Sequence, residues 1–140
     1  MAGTRLILDS GGLSALANGN RRAIAWAYRA TQRGMLFGIP APVLAETLTG
    51  HARDAKIHRV ISSPALIIET TADIARTAGV IRFRAKAPDK TVDALVIASA
   101  AVHPQSIVLT SDPKDLARLA SFLSDAKLSI RDVNSPLKPT

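Results

Sequence analysis

Four carboxylates stand where apolar runs of this chain begin or end. Asp9 closes Leu6-Ile7-Leu8, Glu46 lies in Pro42-Val43-Leu44-Ala45-Glu46-Thr47-Leu48, Asp93 opens Ala94-Leu95-Val96-Ile97-Ala98, and Asp112 closes Ile107-Val108-Leu109-Thr110-Ser111. A chain that buries those runs must place charge at the rim of its core. Two carboxylates about 4 Å apart repel by roughly 4 kcal/mol at an effective dielectric of ~20, so four can converge only with cations between them or protons on some. If they meet, a divalent-metal site is the natural outcome.

Short strand-like runs alternate with helical stretches along the chain. Strands are expected over Arg5 to Leu8, Met35 to Gly38, Ala65 to Glu69, Ser106 to Thr110 and Lys127 to Val133. Helices are expected over Leu13 to Ala17, Arg22 to Gln32, Pro42 to Leu48, Ala55 to Ile61, Thr71 to Ala85, Thr91 to Val102 and Pro113 to Leu123. Such alternation predicts an α/β fold with a largely parallel central sheet, as one domain over residues 1–133 followed by a loose tail at 134–140. Ligands of open parallel sheets bind beyond the carboxyl ends of the strands, and Asp9 and Asp112 both follow strands directly. Asp93, at the start of its helix, belongs to the same rim. Glu46 sits about 60° from Val43 around the helix axis and borders the apolar face.

Each acid also has a plainer reading. Asp112, followed by Pro113 and then Asp115, has the pattern of an N-cap. Asp9 can begin the turn Ser10-Gly11-Gly12 or cap the next helix, and Glu46 can be a solvated helix residue. Asp93 can serve the helix dipole, but its helix is apolar nearly all round, where an unpaired carboxylate has little use.

With 140 residues, 47% of them hydrophobic, the chain can bury roughly two-thirds of its unfolded surface in one core. It has no cysteine, which excludes disulfides and Cys-based zinc sites and fits a reducing compartment. No apolar stretch approaches the ~20 residues of a membrane span, and a cytoplasmic protein is expected. Eighteen Lys and Arg against eleven Asp and Glu give a net charge of +7. Gathering four of the eleven acids into one site leaves only seven elsewhere, so the outer surface is strongly basic and suits nucleic acid or another polyanion.

The ordered set Leu6-Ile7-Leu8-Asp9-Ser10, Pro42-Val43-Leu44-Ala45-Glu46, Asp93-Ala94-Leu95-Val96-Ile97-Ala98 and Leu109-Thr110-Ser111-Asp112 resembles the PIN domain, specifically the VapC-type toxin ribonucleases of bacterial toxin–antitoxin pairs. The resemblance spans nearly the whole chain. It implies a PIN-like three-layer α/β/α fold with a five-stranded parallel sheet, and RNA cleavage dependent on Mg²⁺ or Mn²⁺. It also implies a homodimer and a small antitoxin partner whose tail lies across the site. Asp9, Glu46, Asp93 and Asp112 match the family's acidic quartet, and Ser10 and Thr110 match the hydroxyl positions beside it. One departure is Gly11-Gly12 after Ser10, where many members carry a second hydroxyl; the amides of a Gly-Gly turn can themselves face a phosphate.

Phosphodiester hydrolysis needs a nucleophile at neutral pH and stabilisation of charge on the phosphoryl and leaving oxygens, and a hard ion held by carboxylates supplies both. Mg²⁺ suits such oxygen donors. On this reading Asp9, Asp93 and Asp112 ligate the ion, Glu46 binds a second ion or orients water, and Ser10 and Thr110 fix carboxylate orientation. Arg82, Arg84 and Lys86, in the basic segment before Asp93, are candidate RNA contacts or else a solvated helix end. Trp26 and Tyr28 read as packing or antitoxin-contact residues. His51 and His58 lack partners for a zinc site, and His103 reads as a surface residue. The principal rival is a non-catalytic basic α/β module that binds nucleic acid or a protein and uses its acids as caps. A Mg²⁺-dependent phosphatase with an aspartyl nucleophile is disfavoured, because Gly11 stands where its second carboxylate belongs.

Overall fold

The computed structural model describes residues 4–63, 65–103, 105–123 and 127–135. Five strands form one sheet: β1 (Arg5–Leu8), β2 (Leu36–Pro40), β3 (Ala65–Ile68), β4 (Ser106–Thr110) and β5 (Leu128–Asp132). Their order is β3-β2-β1-β4-β5, and every pairing is parallel. Central β1 has Leu6, Ile7 and Leu8 wholly buried. That is why its sequence is continuously apolar: a strand covered on both faces has no solvent side to alternate toward.

Helices cover both faces of the sheet, in a three-layer arrangement. They are α1 (Ser10–Ala17), α2 (Arg21–Gln32), α3 (Ala41–Thr47), α4 (Ala55–Ile61), α5 (Ala72–Arg84), α6 (Thr91–Ala101) and α7 (Pro113–Ala120). Helix α1 packs on α2, α3 and α4, whereas α5, α6 and α7 pack on one another. The near-uniform apolarity of α6 has its expected result. Ala94 and Val96 through Ala100 are buried, and the helix also reaches β1, β2 and β4. Among the described residues no helix is long and apolar enough to cross a membrane.

Helix boundaries follow local chemistry. Asn20 and Thr71 cap α2 and α5 by accepting from the amides of Ala23 at 3.0 Å and Ile74 at 3.1 Å. The sequence expectation failed at α1, which begins at Ser10 and not at Leu13. Two glycines discourage helix by about 1 kcal/mol each, yet here they let the first turn press against the end of β4. A Cβ at Gly12 would stand 2.2 Å from the Leu109 carbonyl oxygen, and one at Gly11 would stand 2.1 Å from the Ser111 hydroxyl. Strand β2 runs to Pro40, further than its apolar pattern suggested, and α7 stops at Ala120. A 3-10 turn, Ala52–Asp54, was not foreseen. His103 is half-buried, contrary to the surface reading, and its burial with Arg5 nearby lowers its pKa. Of the expected tail, only Asn134 and Ser135 are among the described residues.

Glycine therefore has opposite consequences at two helical positions. Gly12→Ala should destabilise the protein by about 1–3 kcal/mol, because the obstacle is backbone and cannot rotate away. Gly79→Ala, in α5 where a Cβ meets nothing within 4 Å, should stabilise it by about 0.5–1 kcal/mol. Urea midpoints at constant m-value report both changes. A wild-type midpoint for Gly12→Ala would mean that α1 does not lie so close to β4.

Candidate active site

Parallel pairing of β1 with β4 sets Leu8 opposite Leu109, so both chains leave the sheet at the same edge and carry Asp9 and Thr110 side by side. Asp9 is the N-cap of α1, its Oδ1 accepting from the Gly12 amide at 2.7 Å. Its Oδ2 accepts a short hydrogen bond from the Thr110 hydroxyl. Thr110 Oγ1 in turn accepts from the Asp112 amide at 2.9 Å. With an amide donating to it, the Thr110 hydroxyl has its proton directed at Asp9. One buried threonine thus fixes both a carboxylate and the backbone of the next acid.

Asp112 occupies the N-cap position of α7, but its side chain makes no capping hydrogen bond. The capping pattern does not account for its carboxylate, which is exposed at the strand end. Asp93 is half-buried in the first turn of α6, and Glu46 is exposed on α3. Burial is the main cause that raises the pKa of Asp9; Thr110 and Gly12 oppose it, and the charges of Glu46 and Asp112 add to it. Burial likewise raises Asp93, against the pull of Lys90, with Asp9, Glu46 and Asp112 contributing further. Four acids far apart in sequence therefore share one electrostatic neighbourhood. Among the described residues no three carboxylates or imidazoles close into a ready-made ligand cage.

No family model matches the sequence, and no curated protein does. A solved structure does match: in the crystal structure of VapBC2 from Rickettsia felis bound to a promoter DNA fragment, one chain aligns with a TM-score of 0.68. The alignment covers 91% of this chain and 98% of that one, at 14% identity. The fold is PIN-like. At that identity the likeness concerns architecture, and the site residues of this PIN-like domain rest on the geometry above.

Other expected site residues divide. Ser10 opens α1 next to Asp9, half-buried, and its hydroxyl makes no hydrogen bond among the described residues. The Gly11-Gly12 segment is helix and not an open turn, and its Gly12 amide is spent on Asp9. Arg82 donates through Nη1 to the Thr91 hydroxyl at 2.8 Å, stapling the end of α5 to the start of α6. Arg84 and Lys86 are exposed. Trp26 is half-buried against the core, whereas Tyr28 is 65% exposed. His51 accepts from the Arg53 amide at 3.1 Å and so caps the 3-10 turn.

Two residues of this rim were missed from sequence. Lys90 pairs with Asp115 at 3.2 Å and lies near enough to Asp93 to pull its pKa down, while Asp115 also neighbours Asp112. The three-residue spacing of Asp112 and Asp115 on one helix was the available signal. It was read only as a cap.

The raised pKa of Asp93 means that the folded protein holds that proton more tightly than the unfolded chain does. Its destabilising contribution is absent below the ordinary carboxylate range and grows as pH rises through the raised folded value. In EDTA, Asp93→Asn should therefore be more stable than wild type at neutral pH, with the gain vanishing in acid. Urea midpoints of both proteins across this pH range test it. A gain that is constant with pH would show that Asp93 carries no raised pKa.

Proposed function

We propose that this chain is a VapC-type toxin, an endoribonuclease that hydrolyses RNA phosphodiester bonds at Asp9, Glu46, Asp93 and Asp112 with Mg²⁺ or Mn²⁺. What supports the reading is the pair Asp9 and Asp93 at the edge of a PIN-like sheet, both with carboxyl pKa values raised chiefly by burial and further by the charges of Glu46 and Asp112. Against the binding-module alternative stands Asp112, whose carboxylate performs no capping.

The donor set fits a hard divalent cation, since every candidate ligand is a carboxylate oxygen. Asp9, Asp93 and Asp112 would hold it, and once bound it supplies the positive charge that the phosphoryl and leaving oxygens require. Thr110 keeps Asp9 in one orientation. Glu46, exposed on α3, would bind a second ion or orient the attacking water. Lys90 offsets part of the acids' repulsion. Arg84 and Lys86 offer exposed positive charge to the RNA backbone, while Arg82 sets the corner that presents them.

The proposal extends to a cytoplasmic setting, to a cognate antitoxin, the matching structure being a VapBC2 assembly, and to a homodimer. Exposed Val80 and Phe83 on α5, the latter 84% exposed, offer an apolar face for a second copy. Sedimentation would remove the homodimer if the protein stays monomeric at every concentration.

Sequencing of RNA 5′ ends after induction in cells should reveal discrete new ends. In vitro, EDTA should abolish cleavage, and Mg²⁺ or Mn²⁺ should raise the thermal midpoint by relieving repulsion among the acids. Asp93→Asn and Asp112→Asn should each lower the cleavage rate by about a hundredfold or more, or ~3 kcal/mol of transition-state stabilisation. Folded variants that cut at the wild-type rate, or full cleavage in excess chelator, would put the binding-module reading in its place.

A further inference from the structure

A second feature lies at the C-terminal end of α3 and takes no part in the reaction proposed above. The loop after α3 is folded back by Asp54, which is 5% exposed. Its Oδ2 accepts from the amides of Thr49 at 2.9 Å and Gly50 at 2.8 Å, and its Oδ1 accepts from the Thr49 hydroxyl at 2.8 Å. Those bonds, the Thr49 hydroxyl first, hold its carboxyl below the usual range. The Thr49 oxygen then accepts from the His51 amide at 3.1 Å. A buried anion thereby builds the loop.

That loop forms one wall of a groove of about 280 Å³. Asn18 from the end of α1 and Thr47 from α3 border it, together with Arg53 and Lys56. Both cations are exposed, and neither has an ion pair among the described residues. The Asp54 carboxylate is already engaged by three donors, so Arg53 and Lys56 are left to attract an outside anion. Arg59 extends the positive face along α4. The groove begins at Thr47, one residue or ~3.8 Å of backbone beyond Glu46.

We propose that this groove is a second phosphate-binding subsite for the substrate RNA, an inference that rests on the ribonuclease reading. A backbone phosphate flanking the scissile bond sits between Arg53 and Lys56, with the Asn18 amide as an additional donor. The strand is then held on both sides of the acidic centre, by this groove beyond Glu46 and by Arg84 and Lys86 before α6. Such contacts read backbone and not base, so they position RNA of many sequences and leave selection to other groups. An acidic peptide of a protein partner is the competing occupant. The RNA strand is favoured because Thr47, which lines the groove, directly follows Glu46 in the chain.

The test uses the full chain in EDTA with a short fluorescent oligoribonucleotide of mixed sequence, followed by anisotropy as salt is varied. The double variant R53A/K56A should bind at least about tenfold more weakly, and the slope of log affinity against log salt should shrink by ~0.7, the share of the one phosphate lost. R53K/K56R, which keeps both charges, should keep the slope. R76A, on α5, should change neither quantity. Both replaced side chains are exposed, and an unchanged thermal midpoint verifies the fold. Wild-type affinity and slope in R53A/K56A would overturn the subsite. So would unchanged RNA binding combined with lost binding of a polyglutamate peptide, which would assign the groove to a protein partner. If the wild type binds RNA through the groove yet never cleaves it with metal restored, the ribonuclease reading falls while the RNA-binding groove stands.

Discussion

The hydrogen bond from Thr110 to Asp9 ties the acidic edge together. It joins the ends of the two central strands and makes one carboxylate the common partner of a β4 hydroxyl and an α1 amide. Through its second bond, to the Asp112 amide, Thr110 also sets where α7 leaves the sheet. The parallel register supplies the neighbours, and the threonine converts proximity into a fixed orientation. Such rigidity matters because a carboxylate among like charges would otherwise swing toward water.

Two buried aspartates show how environment decides what a charge is for. Asp54 is surrounded by donors from its own loop, its ionised form is favoured, and its work is architectural. Asp9 also has two donors, but burial and the charges of Glu46 and Asp112 leave it with a raised pKa. A protein gains nothing in stability by crowding such groups.

Much of this was legible in the sequence. Ser106–Thr110 and Arg5–Leu8 were readable because a doubly covered strand must be apolar throughout, and α6 because burial on all sides erases periodicity. The four acids were conspicuous for interrupting those runs at their ends. What escaped depended on third parties. Gly11 and Gly12 look like a turn until the Leu109 carbonyl is known to lie against them, and no propensity records that contact. Arg82 looked like a free cation, whereas its partner Thr91 belongs to the next helix. Asp54 drew no attention in the sequence, since three donors to one carboxylate require a loop path that spacing does not specify.

The position of β1 in the sheet has a consequence for the order in which the protein is made. This first strand is central, and its partner β4 follows after most of the chain, the Asp9–Thr110 bond spanning 101 residues. At ribosomal rates of roughly 5–20 residues per second, one edge of β1 waits on the order of 5–20 s for that partner. Until β4 emerges, β1 can pair only with β2, and neither Thr110 nor Asp112 has been added to the rim. The acidic centre is thus among the last parts of the molecule to assemble, and a truncated nascent chain carries its first carboxylate without the geometry that gives it meaning.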